Sequence, residues 1–242
     1  MPEGPAILHL RNKLNPFVGK TVKQAGGYGP MPTAWLKGQK LLSIDTHGKH
    51  LFFIFKEGTV EVHLMLFGRF LINDRNKVNR KFYLNFGKEE INGYVVQAKK
   101  IEGDWRDKYD PRVDILSKDF DKAHVKKLLK EHADQRIDEV LMNQQVFAGV
   151  GNKIRNEALY LAGIHPESIT AKIPPVKITK LINAVVKYAK FFLSNLETTG
   201  KHETFAVYKR DYAEDGSEVT TKVLKRSGRK IYFSEHLQEL FV

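Results

Sequence analysis

Residues 144–166, QQVFAGVGNKIRNEALYLAGIHP, decide how the second half of this 242-residue chain is read. A short helix feeds the turn Gly149-Val150-Gly151, and the turn opens another helix at Asn152. Glycine lets a backbone come close to a ligand, and the unpaired amides of a helix start attract anions. A phosphate-gripping turn fits the pattern, and so does an ordinary helix–turn–helix hairpin. A non-catalytic DNA or RNA clamp would use it equally well.

Helical spacing continues on both sides. DKAHVKKLLKEH, RIDEVLMNQ and NKIRNEALYLAG each read as helices, and PPVKITKLINAVVKYAKFFLSNLE reads as a long one. The last aligns Leu181, Val185, Tyr188 and Phe192 on one face, with Lys180, Lys187 and Lys190 elsewhere. The tail from Phe205 returns to β character, with a turn at EDGS and the basic run KVLKRSGRK.

The first half differs. EGPAILHLRNKL predicts one helix with Ile7, Leu10 and Leu14 on a face, and its proline and acid suit a helix start. Residues 20–101 read as short strands. In TVEVHL, Val60, Val62 and Leu64 alternate with Thr59, Glu61 and His63, the period of a half-buried strand. A β-sandwich or barrel behind a leading helix is expected. Periodicity lapses around residues 103–118, in EGDWRDKYDPRVDILS, which places a domain boundary there.

Forty Lys and Arg against 28 Asp and Glu give a net charge of +12. Such an excess is best explained by a polyanionic partner, nucleic acid ahead of a membrane surface. The absence of cysteine excludes disulfides, iron–sulfur clusters and thiolate zinc sites. No apolar run approaches a membrane span, and no signal-peptide pattern opens the chain, so an intracellular, cytoplasmic or nucleoid-associated location is expected.

Several residues stand out against bland alternatives. Lys49 follows His47-Gly48, a tight turn between strands, where a solvated lysine is the ordinary outcome. Met65-Leu66-Phe67 cannot all face one core from a regular strand. At least one should project from a loop, where it could wedge between bases, although a buried turn explains the run as well. Arg229 lies in a basic loop suited to phosphate. His9 and His63 lack metal-ligand spacing, and no metal site is read.

The ordered set MPEGP, THGKHL, HLMLFGR, LMNQQVFAGVGNKIRNEALYLAGIHP and VYKR…GRKIYF resembles the formamidopyrimidine-DNA glycosylase/endonuclease VIII family along the whole chain. The resemblance implies removal of the initiator methionine, so that Pro2 becomes an amine nucleophile. Glu3 is then a general acid/base, and Lys49 grips phosphate near the lesion as part of the catalytic set. It assigns Met65, Leu66 and Phe67 to filling the space of a flipped nucleotide. Asn152, Arg229 and Tyr208 hold phosphates, and Glu157 supports the nucleophile's pocket. The implied fold is α+β: a β-sandwich domain over residues 1–108, a helix–two-turn–helix domain over 109–202 and a hairpin over 203–242.

Two departures refine this. Family members usually carry a four-cysteine zinc finger, whereas here Ser234 and Leu237 stand at the final ligand positions. A zincless β-hairpin presenting Arg229 is expected, packed through Tyr208, Val223, Ile231 and Phe233, with no zinc or other cofactor. The DPRRFG-like loop of the purine branch is also missing. Asp110-Pro111-Arg112 falls in the linker and runs on into VDIL. The expected protein is a monomeric glycosylase and abasic-site lyase acting on double-stranded DNA that carries oxidised pyrimidines, hydantoins, formamidopyrimidines or abasic sites. A purine-lesion glycosylase and a non-catalytic damaged-DNA binder remain the alternatives.

Overall fold

The computed structural model describes residues 2–200, 205–224 and 228–242. Met1 and part of the basic run, Lys225 to Ser227, lie outside them. The chain forms two compact units, Met1–Asp110 and Pro111–Val242.

In the first unit, helix α1 (Gly4–Leu14) begins where the Glu3 carbonyl accepts the amides of Ala6 and Ile7, at 2.9 and 3.2 Å. Ile7 and Leu14 face the core, as their spacing predicts. Arg11 Nε donates to the Ile44 carbonyl at 2.9 Å and ties the helix to the sheet.

Six antiparallel strands follow: β1 (Gln24–Gly26), β2 (Ser43–His47), β3 (His50–Phe55), β4 (Gly58–Ile72), β5 (Phe82–Asn85) and β6 (Glu90–Ile101). They hydrogen-bond as one sheet in the order β1-β5-β6-β4-β3-β2. Two strands separate Phe53 of β3 from Phe82 of β5, which in a flat sheet would hold them roughly 14 Å apart. Their ring centroids are 5.8 Å apart. The sheet therefore doubles over its own core, and both layers of the sandwich belong to one sheet through the long β4 and β6.

The expected half-buried character of residues 59–64 is corrected. Val60, Val62 and Leu64 are buried, but so are Thr59 and Glu61. The second face is covered because Trp105 stacks on Phe52 at 4.2 Å and Tyr109 packs beside them.

The doubling breaks the β4–β6 ladder. Leu64 pairs with Val96 and Arg69 with Tyr94, so Met65 to Gly68, four residues, stand opposite Val95 alone. Phe67 and Val95 take φ of 68° and 54°, a region costly for large or β-branched residues. Gly68 is required by close approach: a Cβ there would lie 2.6 Å from the Val95 carbonyl oxygen and 2.8 Å from the Met65 nitrogen.

The second unit holds α2 (Lys122–Glu131), α3 (Ile137–Val140), α4 (Asn152–Ala162) and α5 (Pro175–Thr199), then a hairpin of β7 (Thr220–Val223) and β8 (Lys230–Phe233). Asp121 caps α2 by accepting the amides of Ala123 and His124. Gly163 and Gly200, at φ 68° and 67°, close α4 and α5. The helix expected over RIDEVLMNQ is a single turn. Asn143 Oδ1 accepts the Gln145 amide, and the Asn143 carbonyl accepts those of Val146 and Phe147, which bends the chain away.

Leu181, Val185, Tyr188 and Phe192 of α5 are buried as predicted. In the hairpin region Val207, Ala213, Val219 and Tyr232 form a small core with Tyr208 against it. Ile231 and Phe233 are buried, but Val223 is 55% exposed, because it pairs with Lys230 at the turn end of the hairpin, beyond the buried stretch Ile231 to Phe233. Ser234 hydrogen-bonds the Ser217 hydroxyl at 2.9 Å, and its amide donates to Gln238 Oε1 at 3.0 Å.

Candidate active site and nucleic-acid interface

Pro2 and Glu3 lead into α1. Pro2 is partly exposed, and Glu3 is buried at the helix's N-cap, where the dipole favours a carboxylate. The helix packs on β2 and β3, the strands whose connection carries Lys49.

His47 pairs with His50, so the hairpin turn consists of Gly48 and Lys49 themselves, one residue later than expected from sequence. Gly48 takes φ 54° while Lys49 keeps an ordinary backbone, the pattern of a two-residue turn with glycine leading. Lys49 is buried, which replaces the solvated lysine of the bland reading.

A polar network that sequence reasoning missed braces this turn. His63 pairs across the strands with His50, their ring centroids 5.1 Å apart, and hydrogen-bonds the Lys49 backbone. Burial, the facing His50 and Lys49 lower the proton affinity of His63, while that backbone bond and Glu61 oppose them. His50 Nδ1 lies 2.8 Å from Glu61 Oε1, and Lys99 Nζ lies 3.1 Å from Glu61 Oε2. Burial pushes the Glu61 carboxyl up, but hydrogen bonds from His50, Tyr109 and Lys99 outweigh it and hold the group at about 2. The alternation of TVEVHL marked Glu61 as solvent-facing, and its partners come from another strand, another hairpin and the linker.

The folded-state value lies below the ordinary 4.5, so the stabilisation is complete above pH 4.5 and disappears as pH falls towards 2. The shift corresponds to about 3 kcal/mol. Urea unfolding of Glu61→Gln is expected to show a deficit of that order at pH 7 that narrows markedly at pH 3. A deficit independent of pH would contradict the ion-pair account.

The β4 bulge presents Met65, Leu66 and Phe67 at 38%, 52% and 81% exposure. All three project into solvent, more than the single residue that strand geometry required.

The second unit carries the other candidates. Gly149, at φ 99°, donates its amide to Gln144 Oε1, and Gln144 Nε2 donates to the carbonyls of Met142 and Val150. Gln144 thus locks the glycine turn, a role its polar neighbours in sequence concealed. Asn152 opens α4 and donates from Nδ2 to the Lys230 carbonyl at 3.1 Å. Arg155, 1% exposed, donates to the same carbonyl and to Asn152 Oδ1. The residue beside Arg229 is therefore pinned to the start of α4.

Asn156 accepts the Tyr232 amide at 2.9 Å. Glu157 accepts three successive amides, Ala206, Val207 and Tyr208, at 2.9, 3.1 and 2.8 Å. Burial raises the Glu157 carboxyl above its ordinary value, and the three amides pull against that. The Tyr208 ring rests on Tyr232 and Phe205.

Among the described residues no three His, Asp or Glu side chains are grouped to hold a metal, and no helix is long and apolar enough to cross a membrane.

The family description "Formamidopyrimidine-DNA glycosylase N-terminal domain" matches residues 1–99, and "Formamidopyrimidine-DNA glycosylase H2TH domain" matches residues 112–199. Bos taurus Endonuclease 8-like 3 is 26% identical over 214 residues, covering 84% of this chain and 35% of that protein. The chain thus spans about a third of the length of that relative. The Solibacter usitatus Formamidopyrimidine-DNA glycosylase is 28% identical over 205 residues, covering 76% of this chain and 74% of its own length. The crystal structure of Lactococcus lactis Formamido-pyrimidine DNA Glycosylase non-covalently bound to an AP-site-containing DNA superposes with a TM-score of 0.86. It shares 20% identity and covers 98% of this chain and 99% of its own, a likeness of fold. The two matches cover a helix-led folded sheet and a glycine turn that opens α4, in chain order, and this chain belongs to the formamidopyrimidine-DNA glycosylase/endonuclease VIII family.

Proposed function

We propose that the chain is a bifunctional DNA glycosylase and abasic-site lyase of base-excision repair. The observation that carries the proposal is the β4 bulge. Phe67 within it and Val95 of β6 facing it are strained, and three large apolar side chains stand in water. A duplex with an extruded nucleotide would cover them and be held open by them.

The chemistry follows from the first two residues. Once Met1 is removed, Pro2 has a secondary α-amine, a class that titrates near 7.7–8.0, so a neutral fraction exists at cellular pH. Its nitrogen attacks C1′, the C1′–base bond breaks, and the base leaves with the proton that the amine gives up. Glu3 donates a proton to the ring oxygen as the sugar opens, giving an iminium. Loss of a C2′ proton then expels the 3′ phosphate, a second elimination expels the 5′ phosphate, and water releases the amine. Lys49 holds phosphate beside the reacting sugar. Asn152, Arg229 and Tyr208 hold flanking phosphates, contacts that position without reading sequence. Glu157 acts by fixing the 206–208 backbone.

Oxidised pyrimidines, hydantoins and formamidopyrimidines are the proposed lesions, in double-stranded DNA bound by a monomer inside the cell. The absence of a DPRRFG-like loop and the tripeptide on β4 support that choice over 8-oxoguanine. No zinc is required, since a serine pair and a small apolar core brace the hairpin. Residues 1–108, 109–202 and 203–242 are read as the catalytic, helix–two-turn–helix and zincless-hairpin parts.

End-labelled duplexes with one oxidised pyrimidine, one hydantoin or one 8-oxoguanine test this. Incision of the first two at least about tenfold faster than the third is expected, a factor of about 1.4 kcal/mol. Faster incision at 8-oxoguanine would transfer the chain to purine lesions, and binding without incision of any lesion would make it a non-catalytic binder.

A further inference from the structure

Strand β6 pairs with β5 only over residues 90–93. Beyond that, no strand among the described residues covers the β5-facing side of residues 95–101. A cavity of about 740 Å³ opens at this edge, lined among others by Tyr28, Lys81, Gln97, Lys99, His50 and His63. Its size is that of a small-molecule site.

The rim is built to hold Tyr28 outward. A Cβ on Gly27, at φ 139°, would lie 2.3 Å from the Lys81 carbonyl oxygen, and one on Gly26 would lie 2.7 Å from the Tyr83 ring. The Gly27 backbone can meet that of residues 81 and 82 only because it is glycine, and Gly26 leaves room for the Tyr83 ring. The Tyr28 amide donates to the Arg80 carbonyl at 2.7 Å. The Tyr28 ring is nevertheless 73% exposed, with the Lys81 ammonium 4.8 Å from its centroid. The loop therefore places an aromatic ring in water beside a lysine.

We infer that this cavity is a second nucleic-acid site, which takes an unpaired nucleotide of single-stranded DNA with its base stacked on Tyr28. Lys81 meets its phosphates while Lys99 stays paired with Glu61 at the cavity wall, and Gln97 and the open backbone edge meet the base. An exposed aromatic beside a cation is the arrangement that binds single strands without reading sequence, and the net charge of +12 favours that occupant over a neutral ligand. The site rests on the DNA-binding reading above but uses none of the residues assigned to catalysis or to phosphate in that reading.

The test is a fluorescence titration of an undamaged, end-labelled oligothymidylate of about eight nucleotides, within the site sizes such proteins occupy. Incision of a blunt abasic duplex is measured on the same preparations. Tyr28→Ala is expected to weaken oligonucleotide binding about 5- to 150-fold, the range for one lost stacked base. Tyr28→Phe should stay within about twofold because the ring is kept, and duplex incision should be unchanged in both.

Wild type that incises the duplex but does not bind the oligonucleotide overturns the site and leaves the enzyme reading intact. Equal binding by Tyr28→Ala, or a Phe variant as weak as Ala, overturns it too, as does parallel loss of duplex incision. Wild type that fails to incise while Tyr28→Ala still loses oligonucleotide affinity overturns the enzyme reading and supports the site.

Discussion

Glu3→Gln is expected to slow base excision by about 10²- to 10⁴-fold, the contribution of a positioned acid or base. Gln fills nearly the same volume in the buried N-cap position, so the start of α1 and its contacts with β2 and β3 should persist. What is lost is the proton that Glu3 supplies to the sugar oxygen and the carboxylate that this transfer leaves beside the iminium. A preformed abasic site already equilibrates with its open aldehyde, so attack on it depends less on that proton. Single-turnover assays on a lesion duplex and an abasic duplex should therefore diverge, with the lesion duplex much the slower. Equal losses on both, or none on either, would remove Glu3 from the proposed role.

Glu157→Ala should carry the largest cost in stability. The carboxylate serves three buried or part-buried amides in a row, and each orphaned group costs about 1–3 kcal/mol. A total above about 3 kcal/mol is a large part of the 5–15 kcal/mol that holds most domains. The Tyr208 ring would lose its fixed backbone and loosen from Tyr232, so the hairpin should become more sensitive to proteolysis. Urea unfolding and limited digestion measure both effects. A variant within about 0.5 kcal/mol of wild type, the range of an ordinary surface change, would mean that water replaces the carboxylate without penalty.

The helices were legible where one face carries the pattern. Leu181, Val185, Tyr188 and Phe192 are at helical spacing and all are buried, and the glycine turn before Asn152 stands where its residues placed it. The leading helix and the β character of residues 20–101 were equally plain. Alternation could not show that the second face of β4 is covered, because Trp105 and Tyr109 arrive from the linker. For the same reason Glu61 read as a solvated acid, while its partners His50, Lys99 and Tyr109 are distant in sequence.

The bulge was half legible. Three consecutive apolar residues announced an irregularity, but its depth depends on Val95, which nothing in its own neighbourhood marks. Gln144 was hidden differently, since a glutamine in a helical run gives no sign that both ends of its amide will brace a turn. Val223 was misplaced because it stands beside the turn, opposite Lys230, beyond the buried stretch Ile231 to Phe233.

The central claim is that the Pro2 amine forms the covalent intermediate, and borohydride trapping on an abasic duplex addresses it directly. A preparation whose first residue is Pro2 is incubated with the duplex and borohydride, digested, and the cross-linked peptide sequenced by mass spectrometry. The account predicts one adduct at the nitrogen of Pro2, absent when the N-terminus is blocked. An adduct at Lys49 or another lysine, or tight duplex binding with no adduct at all, would contradict it.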